Sequence, residues 1–337
     1  MLMGPFDSQV GTVSWYARSA ENFGSRSPGI PRDRSFEDPG NCSSSSAEYL
    51  GNCESLTMFR SVAFVALGAL LFLTLLDHVS AATAGCGKTP RLTSGVHTTT
   101  VNGKQRRWTV RIPQNYDNTR PYRFIYGLHW LSGDMTSVSG GSAPYYGLAA
   151  LANESTIFVA PDGLNKGWAN QNGEDITFLD TVRKQVEDDL CVNEKLRFSL
   201  GFSYGGAMSF SLACSKANDY RGIAVLSGAT LSGCAGGNTP IAYYGQHGVK
   251  DSVLPIASGR EIRDRFVRLN GCQQKNAPEP APNSRRRIKT VYDGCQYPTQ
   301  WTAFDGDHVA LPGDAGNDVG PQSFTPGEVW AFFTQFK

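Results

Sequence analysis

The chain contains 337 residues, 40% of them hydrophobic, and carries a formal net charge of +1 at pH 7. This length allows one large domain or two medium ones, with enough apolar residues for a sizeable core. The nearly balanced charge provides no basic stripe and no acidic block, so nucleic acid and anionic membrane surfaces are disfavoured as partners. These bounds favour an enzyme.

Residues 1–57 form a polar leader. They contain the run Ser43-Ser44-Ser45-Ser46, scattered proline and glycine, and no sustained apolar periodicity. Such a segment cannot bury enough apolar surface to fold alone. We expect either a wrongly annotated extension of the coding sequence or a disordered cytoplasmic tail.

Residues 58–84 are typical of a secretory signal peptide. Met58-Phe59-Arg60 gives a basic start, residues 61–76 are apolar, and Ala82-Thr83-Ala84 supplies the small residues that signal peptidase recognises. A signal anchor is the alternative, although a membrane span needs about 20 apolar residues. We expect a secreted, extracellular mature chain, residues 85–337, that forms one catalytic domain and does not associate with membranes.

Short strand-like runs alternate with helical segments in this mature chain. Residues 175–190 and 258–269 repeat apolar side chains every three or four positions, so each predicts a helix with one apolar face. Alternation of this kind predicts a mostly parallel sheet with helices on both faces. The predicted strands are residues 107–112, 123–129, 156–160, 196–202, 222–226, 241–246, 288–292 and 300–304.

The pentapeptide Gly201-Phe202-Ser203-Tyr204-Gly205 has the G-x-S-x-G pattern. It follows an apolar strand-like run and precedes small, helix-forming residues, which is the context of a nucleophile elbow. In such an elbow a tight turn lifts the serine hydroxyl above the sheet, and the flanking glycines let strand and helix approach closely. The motif therefore predicts a serine hydrolase with the α/β-hydrolase fold. The alternative is a buried serine in a glycine-rich turn.

A serine hydroxyl is a weak nucleophile at neutral pH, so Ser203 requires a histidine base. The fold demands the chain order serine, acid, histidine. His308 follows the last apolar strand, where its side chain can reach back over the sheet, and is the predicted base. His247 precedes a glycine turn, and a packing or supporting role is predicted for it.

The predicted acid is Asp251, which follows the penultimate strand at the edge where the catalytic loops gather. Asp305 and Asp307 are closer to His308 in sequence. Neighbours along one loop rarely have the geometry to orient the histidine ring, so these two carboxylates are the alternatives.

An oxyanion hole must offer N–H donors to the charge that develops on the substrate. One predicted donor is the backbone N–H of Tyr204, directly after the nucleophile. The other is that of Trp130 or Leu131, in the loop after the strand that ends at His129. His129 itself is predicted to be structural.

Of the eight cysteines, Cys42 and Cys53 fall in the leader. An even set in a secreted chain predicts disulfides. Cys191 precedes the strand to Ser203, and Cys214 lies about 15 Å along the returning helix, so both should meet at the sheet end opposite the site. The predicted pairs are Cys191–Cys214 from this geometry, Cys272–Cys295 from proximity and Cys86–Cys234 by elimination. No spacing typical of a metal site occurs, and no cofactor is expected.

Several segments of the mature chain carry a family pattern. They are Gly127-Leu128-His129-Trp130-Leu131-Ser132-Gly133, Pro161-Asp162-Gly163, Gly167-Trp168-Ala169-Asn170, Gly173-Glu174-Asp175-Ile176-Thr177-Phe178, the elbow with Gly206, His247-Gly248-Val249-Lys250-Asp251 and Gly306-Asp307-His308. Together they resemble the secreted fungal feruloyl esterases, carbohydrate esterases related to polyhydroxybutyrate depolymerases.

The resemblance extends from about residue 86 to residue 337. It implies hydrolysis of the ester that joins ferulate, or a related hydroxycinnamate, to arabinose on plant cell-wall xylan. It also implies that Ser203, Asp251 and His308 form the catalytic triad. Relatives often have three glycines before the base, where this chain has Gly306-Asp307. Some relatives also carry a cellulose-binding module, and none is recognised in this sequence.

A flat aromatic acid would fit an aromatic-lined cleft that has a few polar groups. The predicted contacts are Trp130, Tyr145, Tyr146, Trp168 and Tyr204; ordinary surface aromatics are the alternative for Tyr145 and Tyr146. The expected partner is a feruloylated plant cell-wall polysaccharide or oligosaccharide. Asn153-Glu154-Ser155 is an N-glycosylation sequon, as expected for a secreted protein.

Two other functions are compatible with the sequence. An acetyl xylan esterase or a polyester depolymerase would keep the chemistry with another acyl group, although a depolymerase typically has a separate substrate-binding domain. A catalytically inactive hydrolase fold that binds carbohydrate belongs to a different class. The intact order of Ser203, Asp251 and His308 argues against that class.

Overall fold

The computed structural model describes residues 81–337. The predicted leader and residues 58–80 of the predicted signal peptide lie outside the described residues. Thr83 is hydrogen-bonded to a central strand, since its N–H donates to the Val192 carbonyl oxygen at 3.0 Å and its hydroxyl donates to the Leu190 carbonyl oxygen at 2.9 Å. The expected boundary at Gly85 therefore falls in a hydrogen-bonded segment, and the start of the mature chain stays a prediction.

The described residues contain one nine-stranded sheet. Every predicted strand is present, with ends shifted by a few residues. The first strand was not predicted, because only Thr99 and Val101 of its side chains are buried and it lacks an apolar face. The strands are β1 (Gly95–Val101), β2 (Lys104–Arg111), β3 (Tyr122–Leu128), β4 (Thr156–Pro161), β5 (Val192–Phe202), β6 (Gly222–Leu226), β7 (Ala242–Gly248), β8 (Arg287–Val291) and β9 (Thr299–Phe304).

The strand order is β1-β2-β4-β3-β5-β6-β7-β9-β8. The strands from β4 to β9 in this order run parallel, and β1, β2 and β8 add antiparallel pairs at the two edges. From β3 the chain moves to β4 on one side and then returns to β5 on the other. A topological switch point therefore lies between β3 and β5, where open α/β sheets bind ligands beyond the carboxyl ends of their strands.

Helices α3 (Glu174–Asp189) and α5 (Ile256–Leu269) correspond to the two predicted amphipathic segments. The last helix, α6 (Phe324–Thr334), was not predicted, because its phenylalanines are spread around the helix and leave no single apolar stripe. None of the helices in the described part of the chain has both the length and the apolar character needed to cross a membrane. The helices are α1 (Met135–Ser139), α2 (Leu148–Leu151), α3 (Glu174–Asp189), α4 (Tyr204–Lys216), α5 (Ile256–Leu269) and α6 (Phe324–Thr334).

Apolar layers cover both faces of the sheet. In β3, Phe124 and Tyr126 enter one layer and Ile125 enters the other, as the two-residue period of a strand requires. The first layer includes side chains of α3, α4 and α5, and the second includes side chains of α1, α2 and α6. The predicted α/β-hydrolase fold is confirmed. Its central strands are buried on both faces, so the exposed carboxyl edge is left for chemistry.

Within residues 81–337, three disulfides connect Cys86 to Cys191, Cys214 to Cys234 and Cys272 to Cys295. The predicted Cys272–Cys295 pair is present, whereas the Cys191–Cys214 and Cys86–Cys234 pairs are wrong. The segment before β1 runs past the amino end of β5, which brings Cys86 to Cys191. The loop after β6 descends along α4, where the Gly237 N–H donates to the Cys214 carbonyl oxygen at 3.0 Å. The paths of these two irregular segments decide the pairing, and no periodic pattern marks them.

Candidate active site

Ser203 stands at the carboxyl end of β5, directly before α4. Its φ of 57° and ψ of −120° lie in a region that non-glycine residues rarely adopt. A Cβ atom on Gly201 would come within 2.3 Å of the Gly205 backbone, and one on Gly205 within 2.1 Å of the Leu128 carbonyl oxygen. Strand, turn and helix can approach this closely only because both positions are glycine. The sequence therefore forms a strained turn that presents the serine at the edge of the sheet.

Strand registers bring the other predicted residues to the same edge. Leu128 of β3 is paired with Gly201 of β5, so the loop that starts at His129 begins beside the elbow. Gly248 of β7 is paired with Phe304 of β9, and Asp251 and His308 follow these residues by three and four positions. Adjacent parallel strands thus deliver the predicted acid and base to neighbouring loops.

Asp251 and His308 are hydrogen-bonded to each other. The distance between His308 Nδ1 and Asp251 Oδ2 is 2.7 Å, and the Asp251 side chain is 0% exposed. Asp251 Oδ1 accepts the N–H groups of Val253 and Leu254 at 3.0 and 2.7 Å. Burial alone would raise the pKa of Asp251, but hydrogen bonds from His247, His308 and Leu254 outweigh it and lower the pKa below its ordinary value. The carboxylate is therefore ionised at neutral pH and holds its partners in place.

His247 also contacts Asp251. Its Nε2 lies 3.2 Å from Asp251 Oδ2 and 2.7 Å from the Leu254 carbonyl oxygen, and its ring is buried. His247 is the penultimate residue of β7, because pairing with β9 extends this strand beyond the predicted end. The supporting role predicted for His247 corresponds to a direct contact with the Asp251 carboxylate. The four-residue spacing between the two residues is the sequence feature that could have indicated this contact.

The alternative carboxylates do not contact the His308 ring. Asp307 accepts the N–H groups of Ser252 and His308 at 2.8 and 2.7 Å. Asp305 accepts the N–H of Arg285 at 2.8 Å and lies 3.0 Å from the ammonium of Lys250. Both carboxylates fix the shape of the loop that carries His308, as expected for close neighbours in sequence.

The second ring nitrogen of His308, Nε2, forms no hydrogen bond with the part of the chain that the structure describes. This atom is buried. The His308 ring lies 4.6 Å from that of Phe202, the residue before Ser203, and the two planes are inclined by 37°. Since Asp251 occupies Nδ1, Nε2 is the atom that can exchange a proton at this edge.

Backbone N–H groups suitable for an oxyanion hole flank the serine. Within the described range, the N–H groups of Tyr204, Trp130 and Leu131 donate to no acceptor. Tyr204 begins α4, so the positive end of that helix also points at this position. Leu131 and Tyr204 line one pocket beside the elbow, and the assignment of their N–H groups to an oxyanion hole stays a prediction.

His129 holds the loop that carries Trp130 and Leu131. The Gly163 N–H donates to His129 Nε2 at 2.9 Å, which makes Nδ1 the protonated nitrogen and the donor to the Trp130 carbonyl oxygen at 2.7 Å. Burial lowers the pKa of His129 below its ordinary value and outweighs the opposing hydrogen bond to Trp130. A neutral imidazole that forms two hydrogen bonds therefore holds this loop in place.

Three of the five predicted substrate contacts are buried in the protein, and Tyr204 lines a pocket beside the elbow. Trp168 is 0% exposed, and its Nε1 donates to the His129 carbonyl oxygen at 2.8 Å. Tyr145 and Tyr146 are 1% and 4% exposed. The prediction that these three line a cleft is wrong, because their rings pack in the hydrophobic core. Trp130 is half-buried, with its ring centroid 6.4 Å from that of Phe202.

Tyr146 has a role that the sequence did not reveal. Its hydroxyl donates to the Leu128 carbonyl oxygen at 2.6 Å and accepts the Phe202 N–H at 3.3 Å. It therefore joins the last residue of β3 to the residue before Ser203, at the topological switch point. Tyr146 has a positive φ of 56°, and no local sequence pattern predicts such a bridge.

Comparisons with known proteins agree on one family. Feruloyl esterase D of Neurospora crassa is 49% identical over 280 residues, which cover 79% of this chain and 96% of that protein. Feruloyl esterase C of Emericella nidulans is 47% identical over 251 residues, which cover 74% of this chain and 90% of that protein. A probable feruloyl esterase C of Aspergillus niger is 47% identical over 268 residues, 78% of this chain and 96% of that protein.

Solved structures are similar at low sequence identity. A ferulic acid esterase of Anaeromyces mucronatus in complex with ferulic acid has a TM-score of 0.49 and 15% identity, covering 77% of this chain and 97% of that one. An acetyl xylan esterase of Aspergillus awamori has a TM-score of 0.49 and 14% identity, covering 71% and 99%. No family model matches the chain. The identity to the curated relatives, over most of both chains, is decisive: the chain belongs to the feruloyl esterases and is a carboxylic ester hydrolase.

Proposed function

We propose that the protein is a secreted serine esterase that hydrolyses feruloyl esters of plant cell-wall arabinoxylan. Ser203 is the nucleophile, His308 the base and Asp251 the carboxylate that orients it. The single observation that carries this proposal is the 2.7 Å hydrogen bond between His308 Nδ1 and the buried Asp251 carboxylate, at the sheet edge where Ser203 stands.

The chemistry follows from the two nitrogens of His308. With Nδ1–H donated to Asp251, Nε2 can accept the Ser203 proton as Oγ attacks the ester carbonyl carbon. The carbonyl oxygen becomes an oxyanion, which the N–H groups of Tyr204 and Leu131 stabilise. The bond to the alcohol oxygen then breaks, and that oxygen takes the proton from Nε2. Water attacks the acyl-enzyme in the same way, which releases the acid and restores Ser203.

Two further features support the substrate and the location. The relatives are named feruloyl esterases, and a similar esterase has been solved with ferulic acid. Their names support a hydroxycinnamoyl acyl group and, as partner, a feruloylated cell-wall polysaccharide or oligosaccharide. Three disulfides and an exposed sequon at Asn153 are compatible with passage through an oxidising secretory pathway.

The test combines active-site labelling with a substrate comparison. A fluorophosphonate should label Ser203, as peptide mass spectrometry would establish, and the labelled protein should be inactive. The unlabelled protein should hydrolyse methyl ferulate with a higher kcat/KM than methyl acetate, which has the same leaving group. Labelling at another serine would overturn the mechanism. Labelling at Ser203 together with a preference for acetate would overturn the substrate and identify an acetyl esterase.

A further inference from the structure

A side pocket opens beside the candidate active site on the side of β3 and β4. Its volume is about 280 Å³, and Leu131, Leu164, Gly167, Tyr204, Lys104 and Glu174 are among its lining residues. Small-molecule sites range from about 300 to 1,000 Å³, so this volume suits one ring with a short chain better than an oligosaccharide.

The part of the side pocket next to the elbow is apolar. Leu131 leaves 58% of its surface exposed and lines the pocket together with Tyr204. A Cβ atom on Gly167 would lie 3.0 Å from the Tyr204 ring and 3.4 Å from Leu131 Cδ1. Leu131 and Tyr204 therefore approach each other over a residue without a side chain, which leaves their apolar surfaces for a ligand.

The far side of the side pocket is polar. Lys104 and Glu174 form an ion pair of 2.6 Å there. Lys104 reaches this place because β2 runs antiparallel to β4 and pairs Trp108 with Pro161, so its first residues extend beyond the carboxyl end of β4. An ammonium and a carboxylate at this distance can donate to and accept from a phenolic hydroxyl and its ring substituents.

The strand order decides which half of an ester can occupy the side pocket. His308 must protonate the departing oxygen, so the alcohol leaves on the side of β7 and β9. The acyl group extends from the same carbonyl carbon in another direction. Tyr204 and Leu131, whose N–H groups are the proposed oxyanion donors, also line the side pocket. In the strand order this pocket belongs to the β3 and β4 side of β5, and His308 belongs to the β7 and β9 side.

We propose that the side pocket binds the hydroxycinnamoyl group of the substrate, with the aromatic ring between Leu131 and Tyr204 and the ring hydroxyl at the Lys104–Glu174 pair. This inference rests on the proposed function. It assigns acyl specificity to the side pocket instead of Tyr145, Tyr146 and Trp168, which are buried. The sugar then stays outside, on the His308 side, where a polymer can be accommodated.

Gly167→Ala tests the apolar part. Gly167 has φ −160° and ψ −175°, which any residue adopts, so the added methyl narrows the pocket without backbone strain. The ratio of kcat/KM for methyl ferulate to that for methyl acetate should fall about tenfold or more, since one misplaced methyl group costs about 10- to 200-fold in an apolar pocket. Gly327→Ala is the matched control, because a Cβ there meets nothing within 4 Å and the ratio should not change.

Lys104→Met tests the polar end. Methyl ferulate and methyl cinnamate differ in their ring substituents, so the wild-type preference for ferulate should shrink about tenfold in this variant, as for one lost charged hydrogen bond. Lys184→Met is the control, because Lys184 pairs with Asp180 at 2.8 Å on α3 and does not line the side pocket.

The outcomes separate the two proposals. Wild-type protein that cleaves acetate but not ferulate would refute the proposed function. Wild-type protein that prefers ferulate, with Gly167→Ala lowering ferulate and acetate hydrolysis in equal proportion, would overturn the acyl assignment alone. An unchanged ferulate-to-cinnamate ratio in Lys104→Met would equally overturn the placement of the ring hydroxyl.

Discussion

The two sides of Ser203, here called the His308 flank and the side-pocket flank, differ in burial and in hydrogen bonding. On the His308 flank, both oxygens of Asp251 accept hydrogen bonds and its side chain is fully buried. On the side-pocket flank, Leu131 is exposed and the polar groups meet at a solvent-accessible ion pair. Buried, fully bonded charge fixes one geometry, as proton transfer requires. Open apolar surface leaves the choice of acyl group to the shape of the pocket.

The largest effect is expected from removing Ser203, which both flanks share, or the proposed base His308. Ser203→Ala and His308→Ala should each lower kcat/KM by at least about 10⁴-fold, and the double variant should lose little more, because triad members act as a unit. Far-ultraviolet circular dichroism would check that the fold persists. Retention of more than a tenth of the wild-type turnover in His308→Ala would show that His308 is not the base.

A second substitution breaks the His308 flank alone. Asp251→Asn should abolish most activity yet keep about 10 to 100 times more than Ser203→Ala, following the order seen in serine proteases. Asp305→Asn is the matched control, because Asp305 binds Arg285 and Lys250 and does not contact the His308 ring. Steady-state kinetics that rank Asp305→Asn as the more damaged variant would move the acid assignment to that loop.

The link between the flanks can be tested with two neighbouring tyrosines. Tyr146→Phe should lower kcat about tenfold and destabilise the protein by about 1 to 3 kcal/mol, because the Leu128 carbonyl and the Phe202 N–H lose their partner. The hydroxyl of Tyr145 is buried without a partner among the described residues, so Tyr145→Phe should leave both quantities unchanged. Equal effects of the two variants in kinetics and denaturant unfolding would contradict the bridge.

The smallest effect concerns acid stability on the side-pocket flank. The folded-state pKa of His129 is lowered from an unfolded value of about 6.5, so the unfolded chain binds the proton first. Stability is therefore highest above that value and falls as pH drops from about 6.5 toward the lowered pKa, by at most about 1.4 kcal/mol per pH unit. Urea unfolding at a series of pH values should give a smaller slope for His129→Gln. Identical slopes would mean that His129 is not the titrating group.

Sequence patterns predicted the parts of the molecule that repeat or follow a fixed order. Apolar runs located the central strands, and the elbow with the order of Asp251 and His308 predicted the residues that the registers of β7 and β9 bring to one edge. Both depend on local spacing and on a topology shared by the whole fold. This is why positions far apart in sequence could be assigned without coordinates.

Other features depend on tertiary paths that no spacing encodes. Two disulfides were paired wrongly because loops without a pattern carry Cys86 and Cys234 to their partners. The prediction that Tyr145, Tyr146 and Trp168 line a cleft is wrong, since aromatic composition does not distinguish a buried ring from an exposed one. The polar end of the side pocket was not predicted, because Lys104 precedes the predicted strand at residues 107–112 and no pattern pairs it with Glu174.

The Cys214–Cys234 bridge is linked by hydrogen bonds to the loop that carries Trp130 and Leu131. Ser232 lies two residues before Cys234, and its hydroxyl donates to the Trp168 carbonyl oxygen at 2.7 Å. Trp168 in turn donates to the His129 carbonyl oxygen at 2.8 Å, at the root of the oxyanion loop. Reduction of this bridge would release that chain of contacts while the sheet stays folded. We therefore expect mild reduction to lower turnover before far-ultraviolet circular dichroism changes.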